Sequence, residues 1–262
     1  MDPAFERRAW TLIYVCLGVI EGGTAAVMVR SLFGQTVQGI TVDLVLALVS
    51  SAPAWANLVS LAFARRAQGR PKIAFLQPLI VTLAVLVAAL ALVPTGRGGL
   101  AVFLLLYVAA RLVWAGIDTV RSVIWSVNYP RHLRATVTGH IMINGAIAIA
   151  LGGLLLGWLL ELDGPWFRVA IWAAGLCGLA GGWAFRRLGV RDEEELLEAE
   201  RDRMRQGARF DLAGIRRLLA TDADFRHYML AMSLFGAGFL TLTPLLVICL
   251  DDVLHASEFV QV

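Results

Sequence analysis

Charge is what this sequence has least of. Asp, Glu, Lys and Arg make up 16% of its 262 residues, against about 25% in a typical soluble domain. Lysine is all but absent: Lys72 is the only one, and it stands in a loop. A retinal-type photoreceptor needs a Schiff-base lysine in its last apolar run, and the run 227–250 has none. Cysteine is scarce too. Cys16, Cys177 and Cys249 lie far apart in separate apolar runs, which excludes a disulfide framework or a thiolate metal cluster and leaves them as small packing residues. His132, His140, His227 and His255 form no metal-ligand spacing, so no metal or other cofactor is expected. No Gly-x-Ser-x-Gly-like nucleophile occurs, and no enzyme activity is expected. A net charge of +3 does not point to nucleic acid as a partner.

What is present is apolar surface. The chain is 58% hydrophobic with a mean hydropathy of +0.72, the composition of an integral membrane protein. Seven segments approach the ~20 residues a helix needs to cross the hydrocarbon core: 10–29, 40–64, 73–92, 100–127, 135–160, 166–185 and 227–250. Runs without strict alternation exclude a β-barrel, so the class is all-α. Near the N-terminus "ERRAW" precedes an apolar run, but Glu21-Gly22-Gly23 interrupts it, and a retained first span reads better than a cleaved signal.

Arginine placement sets the expected orientation. Arg7 and Arg8 precede the first span; Arg65, Arg66, Arg70 and Lys72 follow the second; Arg131 and Arg134 follow the fourth. The sixth connection, 186–226, carries ten basic residues. The other side holds Arg30, Arg97 and Arg168, with Glu161, Asp163, Asp251 and Asp252. A cytoplasmic N-terminus in a multi-pass inner or plasma membrane protein is therefore expected. Three regions follow: 1–187, a six-helix lobe; 188–226, a charged linker of one or two surface helices punctuated by Gly207 and anchored by Leu196, Leu197, Leu212, Ile215 and Leu219; and 227–262, holding a seventh span.

Ionisable groups inside spans are expensive and mark function or pairing. Counted inward at 1.5 Å per residue, Glu21 in the first span and Arg111 in the fourth each lie roughly 16 Å deep. Opposite charges at one depth imply a pair or a shared polar cavity. Along the fourth span Tyr107, Arg111, Trp114, Asp118 and Trp125 form one stripe, with Arg121 able to reach Asp118 or to snorkel to the interface. Tyr14, Gly18, Glu21 and Thr24 form the matching stripe of the first span. The third and sixth spans carry almost no charge and can face lipid. The fifth contributes His140, Asn144 and the small-residue positions Gly145, Gly153 and Gly157.

Six spans, a basic connection and a seventh span resemble the first part of a major facilitator superfamily transporter, an all-α fold whose six-helix lobes are 3+3 inverted repeats around a midplane site. "AFARRAQGRPK" is similar to that family's loop between its second and third helices, with Gly69, Arg70 and Lys72 at matching positions, although Ala62 and Arg66 replace its first glycine and its aspartate. "RLVWAGID" is similar to an arginine-then-glycine pattern of proton-coupled members, with Gly116 one residue late, and "YPRHLRATVTGH" looks like the approach to the fifth helix. The resemblance implies that the first and fourth helices line a central cavity while the third and sixth support them from outside. It implies alternating-access transport of a small solute with protons, through Glu21, Arg111, Asp118, Arg121, Tyr14, Tyr107, Trp114, Asn144 and His140, and a conformational role for Gly69, Arg70 and Lys72. It also implies roughly five further helices, so that this chain is a partial transporter whose lobe needs a second one to move against. The alternatives are a non-transporting scaffold or sensor, and a lipid-head-group enzyme using Asp118, Arg121 and Arg134.

Overall fold

The computed structural model of the protein describes residues 3–34, 40–162, 164–205 and 212–250, and these form helices joined by short turns. Asp163, Gly207, Asp251, Asp252 and His255 lie outside the described residues, as do the side chains of Leu212 and Ile215. Six stretches are long and apolar enough to cross a membrane: Pro3–Phe33, Leu44–Ala67, Lys72–Leu90, Gly98–Asn128, Arg131–Glu161 and Trp166–Phe185. By length and composition this is a multi-pass membrane protein.

The first of these departs from the single helix expected over 10–29. It starts at Pro3, where a proline costs the first helical turn no hydrogen bond, and it is two helices, α1 (Pro3–Gly18) and α2 (Gly22–Phe33). Three glycines, Gly18, Gly22 and Gly23, weaken the helix there. The chain turns through Ile20 N–H to Leu17 O at 2.9 Å and straightens at Glu21, whose φ of −74° and ψ of 149° are extended. Glu21 O then accepts from Ala25 N at 3.0 Å and starts α2.

The remaining elements follow expectation closely. They are α3 (Ile40–Ala67, with Pro53 inside it), α4 (Lys72–Leu90), α5 (Arg97–Asn128), α6 (Arg131–Glu161) and α7 (Trp166–Phe185). The linker forms two helices, α8 (Glu193–Arg205) and α9 (Leu212–Thr221). The seventh expected span forms α10 (Ala223–Ile248), which packs on α2 and α3 but is not among the six membrane-crossing stretches counted over the described residues.

The core forms around α1, whose Trp10, Ile13 and Cys16 are fully buried. Glycine brings α7 against it. A Cβ on Gly178 would meet Cys16 Cβ at 2.9 Å, and one on Gly181 would meet Ile13 at 2.8 Å. Gly175 takes the same part toward α4, at 2.8 Å from Ala88. This is small-residue packing, which gains van der Waals contact where lipid offers no hydrophobic drive between helices. Burial falls in the order first, fourth, third and sixth span, with the second and fifth lowest. The third is 39% buried and the sixth 33%, whereas the second and fifth are each 28% buried, and the first is 76%.

The basic loops gather at one end of the bundle. There the turn between α3 and α4 is held by α8. Glu200 Oε2 accepts from the Lys72 ammonium and from the Gly69 amide, both at 2.6 Å, while Glu193 accepts from the Lys72 amide at 2.8 Å. Lys72 is buried and donates also to Ala67 O at 2.7 Å. Gly69 has a φ of +67°, the left-handed region that favours glycine, whereas Arg70 is exposed. Lys72→Met is expected to cost at most about 3 kcal/mol, the low end for a broken buried pair because Glu200 keeps the Gly69 amide. It should raise amide exchange across 193–205, and unchanged exchange would show that α8 is held by other contacts.

Candidate functional site

Arg111 stands near the middle of α5, facing the break in the first span. Its Nη1 donates to Glu21 Oε2 at 3.0 Å and lies 3.4 Å from the carbonyl oxygen of Ile20. The break makes this geometry available. An unwound turn leaves backbone carbonyls without helical donors, and a guanidinium has donors enough for a carbonyl and a carboxylate. The pair is lopsided. Arg111 has 6% of its side chain exposed and Glu21 has 38%. The carboxylate is the outer member, and the cation lies behind it.

A second pair repeats that order two to three turns along α5. Arg121 Nη2 donates to Asp118 and its Nη1 to the Tyr14 hydroxyl. Arg121 is 9% exposed and Asp118 49%. Of the two courses open to Arg121, snorkelling or pairing, it takes the second. Its guanidinium carbon lies 5.4 Å from the Trp10 ring, 5.8 Å from Tyr14, 5.5 Å from Trp114 and 4.6 Å from Trp125. Cation–π attraction from rings of this kind contributes about 2 kcal/mol or more where water is excluded. Among the described residues, three buried side-chain polar atoms have no hydrogen-bond partner: Arg111 Nε, Arg121 Nε and Ser50 Oγ. Two of the three thus belong to the two arginines of one helix.

The other expected residues separate into groups. Tyr14 joins the Arg121 cage, and its hydroxyl lies 3.1 Å from Met142 Sδ; Gly145 of α6 leaves room for its ring, which a Cβ there would meet at 2.7 Å. Trp114 packs edge-on to Tyr14, with ring centroids 5.9 Å apart. Tyr107 is buried and donates to Val49 O at 2.9 Å, which ties α5 to α3. Asn144 lines an apolar groove of about 440 Å³ between α1 and α6, with Thr11, Val15 and Leu155. His140 lines a different cleft, of about 320 Å³, with Arg7 and Ile141. The structure brings Glu21 to Arg111, with Tyr107 one turn away on α5 and within electrostatic reach of both, and gathers Tyr14, Trp114, Asp118 and Arg121, but it leaves Asn144 and His140 apart from either pair. No group of metal-ligating side chains occurs among the described residues.

One buried ionisable residue escapes a reading by hydropathy. Glu6 is fully buried and accepts from Trp10 Nε1 at 3.2 Å, from Trp125 Nε1 at 2.9 Å and from the Tyr129 hydroxyl. The signal for it is the i, i+4 spacing of Glu6 and Trp10, repeated by Trp125 at the end of α5 and Tyr129 just past it. Trp10 and Trp125 therefore touch both charges: their N–H edges serve Glu6 and their faces serve Arg121. No protein-family model, curated protein or solved structure matches this chain.

Proposed function

We propose that the protein works as a secondary active transporter, moving a small solute with protons by alternating access, in the manner of the major facilitator superfamily it resembles. In this reading the basic end is cytoplasmic, the first six spans are one lobe, and α1, α2 and α5 line the solute route. The observation that carries it is the Glu21–Arg111 pair at 3.0 Å, formed across a break in the first span. Broken helices at mid-depth are a recurrent way to build ion and substrate sites, because unwound backbone is tolerated where it lines a cavity. A half-exposed carboxylate backed by a buried arginine can exchange its partner for a proton, and a site alternately open to two sides turns that exchange into coupling.

Proton-coupled uptake in vesicles tests this, with the whole gene product and with Glu21→Gln. The amide keeps the size of Glu21 and can still accept from Arg111, but it takes up no proton. Solute-driven proton movement should fall at least tenfold while solute exchange across the membrane persists. Coupling equal to the unaltered protein would remove Glu21 as the proton site.

A further inference from the structure

We propose that the solute is a small organic anion, a carboxylate that binds Arg111 and the N-terminus of α2 in the place held by the Glu21 side chain. This deepens the transport reading and rests on it for the site.

Three features converge on that point. First, α2 is a twelve-residue helix that begins at Gly22, within the first membrane-crossing stretch. The N–H groups of any first helical turn lack intrahelical acceptors, and the helix dipole makes that end attractive to anions. Secondly, Glu21 stands at the N-cap position of α2, yet its side chain makes no capping hydrogen bond and goes to Arg111 instead. The helix end and the guanidinium thus both stand at Glu21, the first beside its backbone and the second on its carboxylate, which leaves the helix end uncapped by that side chain. Thirdly, Arg111 is buried with its Nε unpartnered. A buried donor without an acceptor is costly, and most such groups in folded proteins are satisfied.

Together they favour one sign of charge. A cation would face a helix N-terminus and a buried guanidinium with only Glu21, already paired, to hold it. A neutral polyol would gain little from a site so strongly positive behind its outer carboxylate. An organic carboxylate repeats the chemistry of Glu21 itself. The exchange balances in charge. A proton adds to the Glu21 carboxylate and makes it a neutral acid; Arg111 is released and pairs with the incoming carboxylate. The site carries the same net charge before and after, so one anion enters with one proton and no covalent bond changes.

Benzoate, benzyl alcohol and benzylammonium share a ring and differ in charge, so they test this directly. The purified protein in detergent is titrated with each at pH 5.5 and pH 8 while its thermal unfolding is followed. Benzoate should raise the melting temperature, with at least tenfold tighter binding at pH 5.5 than at pH 8. Benzyl alcohol and benzylammonium should shift it little. In Glu21→Gln, benzoate should bind equally at both pH values, because the competing carboxylate is gone. Arg111→Gln should remove the benzoate effect; where that variant does not fold, the Glu21→Gln comparison decides. Absence of a benzoate shift, preference for benzylammonium, or a pH dependence that survives Glu21→Gln would each overturn the proposal. Proton-coupled uptake with preference for a cation would overturn the anion assignment and leave transport standing. Benzoate binding without any proton-coupled uptake would instead remove the transport reading.

Discussion

Glu6→Leu is expected to be the most damaging single substitution at the basic end of the bundle. The carboxylate accepts from Trp10, Trp125 and Tyr129 in a fully buried position. Leucine removes all three hydrogen bonds and takes the carboxylate acceptor from two buried indole N–H groups. Each unsatisfied buried donor costs about 1–3 kcal/mol, so the two indoles together account for a loss of about 2–6 kcal/mol. Marginally stable proteins do not survive losses of that size. Glu6→Gln keeps one acceptor oxygen and should be intermediate. Thermal unfolding in detergent, or yield of folded protein, measures both. A leucine variant as stable as the parent would mean that the aromatic cage is held by packing alone.

The second large effect concerns the mid-depth pair, and its two halves are unequal. Glu21→Ala strands a guanidinium that is 6% exposed, with the Ile20 carbonyl left as its acceptor. Breaking a buried pair from that side costs about 3–5 kcal/mol. Arg111→Met leaves behind a carboxylate that is 38% exposed, which a polar cavity can solvate, so its cost should be clearly smaller. The order of the two variants in thermal unfolding reports what Glu21 faces. If Arg111→Met is the worse of the two, the carboxylate faces acyl chains rather than a polar route, and the transport reading loses its base.

The helices are legible in the sequence because hydropathy decides them. Twenty apolar residues between arginine-bearing turns leave one option in lipid, and α7 falls on 166–185 as expected. The meeting of Glu21 and Arg111 is legible for a similar reason, since depth is residue count times helical rise and buried opposite charges seek one another. The break at Gly18–Glu21 is less so. Gly22 and Gly23 announce that the helix can bend, but whether it opens depends on an arginine 90 residues away that takes the freed carbonyl and the carboxylate. Glu6 stands before the point where hydropathy starts the first span, so it reads as a loop residue until Trp10, Trp125 and Tyr129 converge on it. Lys72 reads as one more basic loop residue, and its partners Glu193 and Glu200 lie 121 and 128 residues on. The exposure of α3 and α6 relative to α4 and α7 is likewise a property of the packed bundle. Counting charges per helix misses it, because glycine positions decide which uncharged helices approach closely.

A double-mutant cycle on Glu21 and Arg111 tests the central claim most directly. Glu21→Ala, Arg111→Met and the double variant are unfolded thermally under identical conditions. Residues in direct contact couple by about 0.5–3 kcal/mol, and a 3.0 Å pair with one member buried should lie near the top of that range, with the double variant more stable than Glu21→Ala alone. Effects that add to within about 0.5 kcal/mol would show that the two groups do not meet.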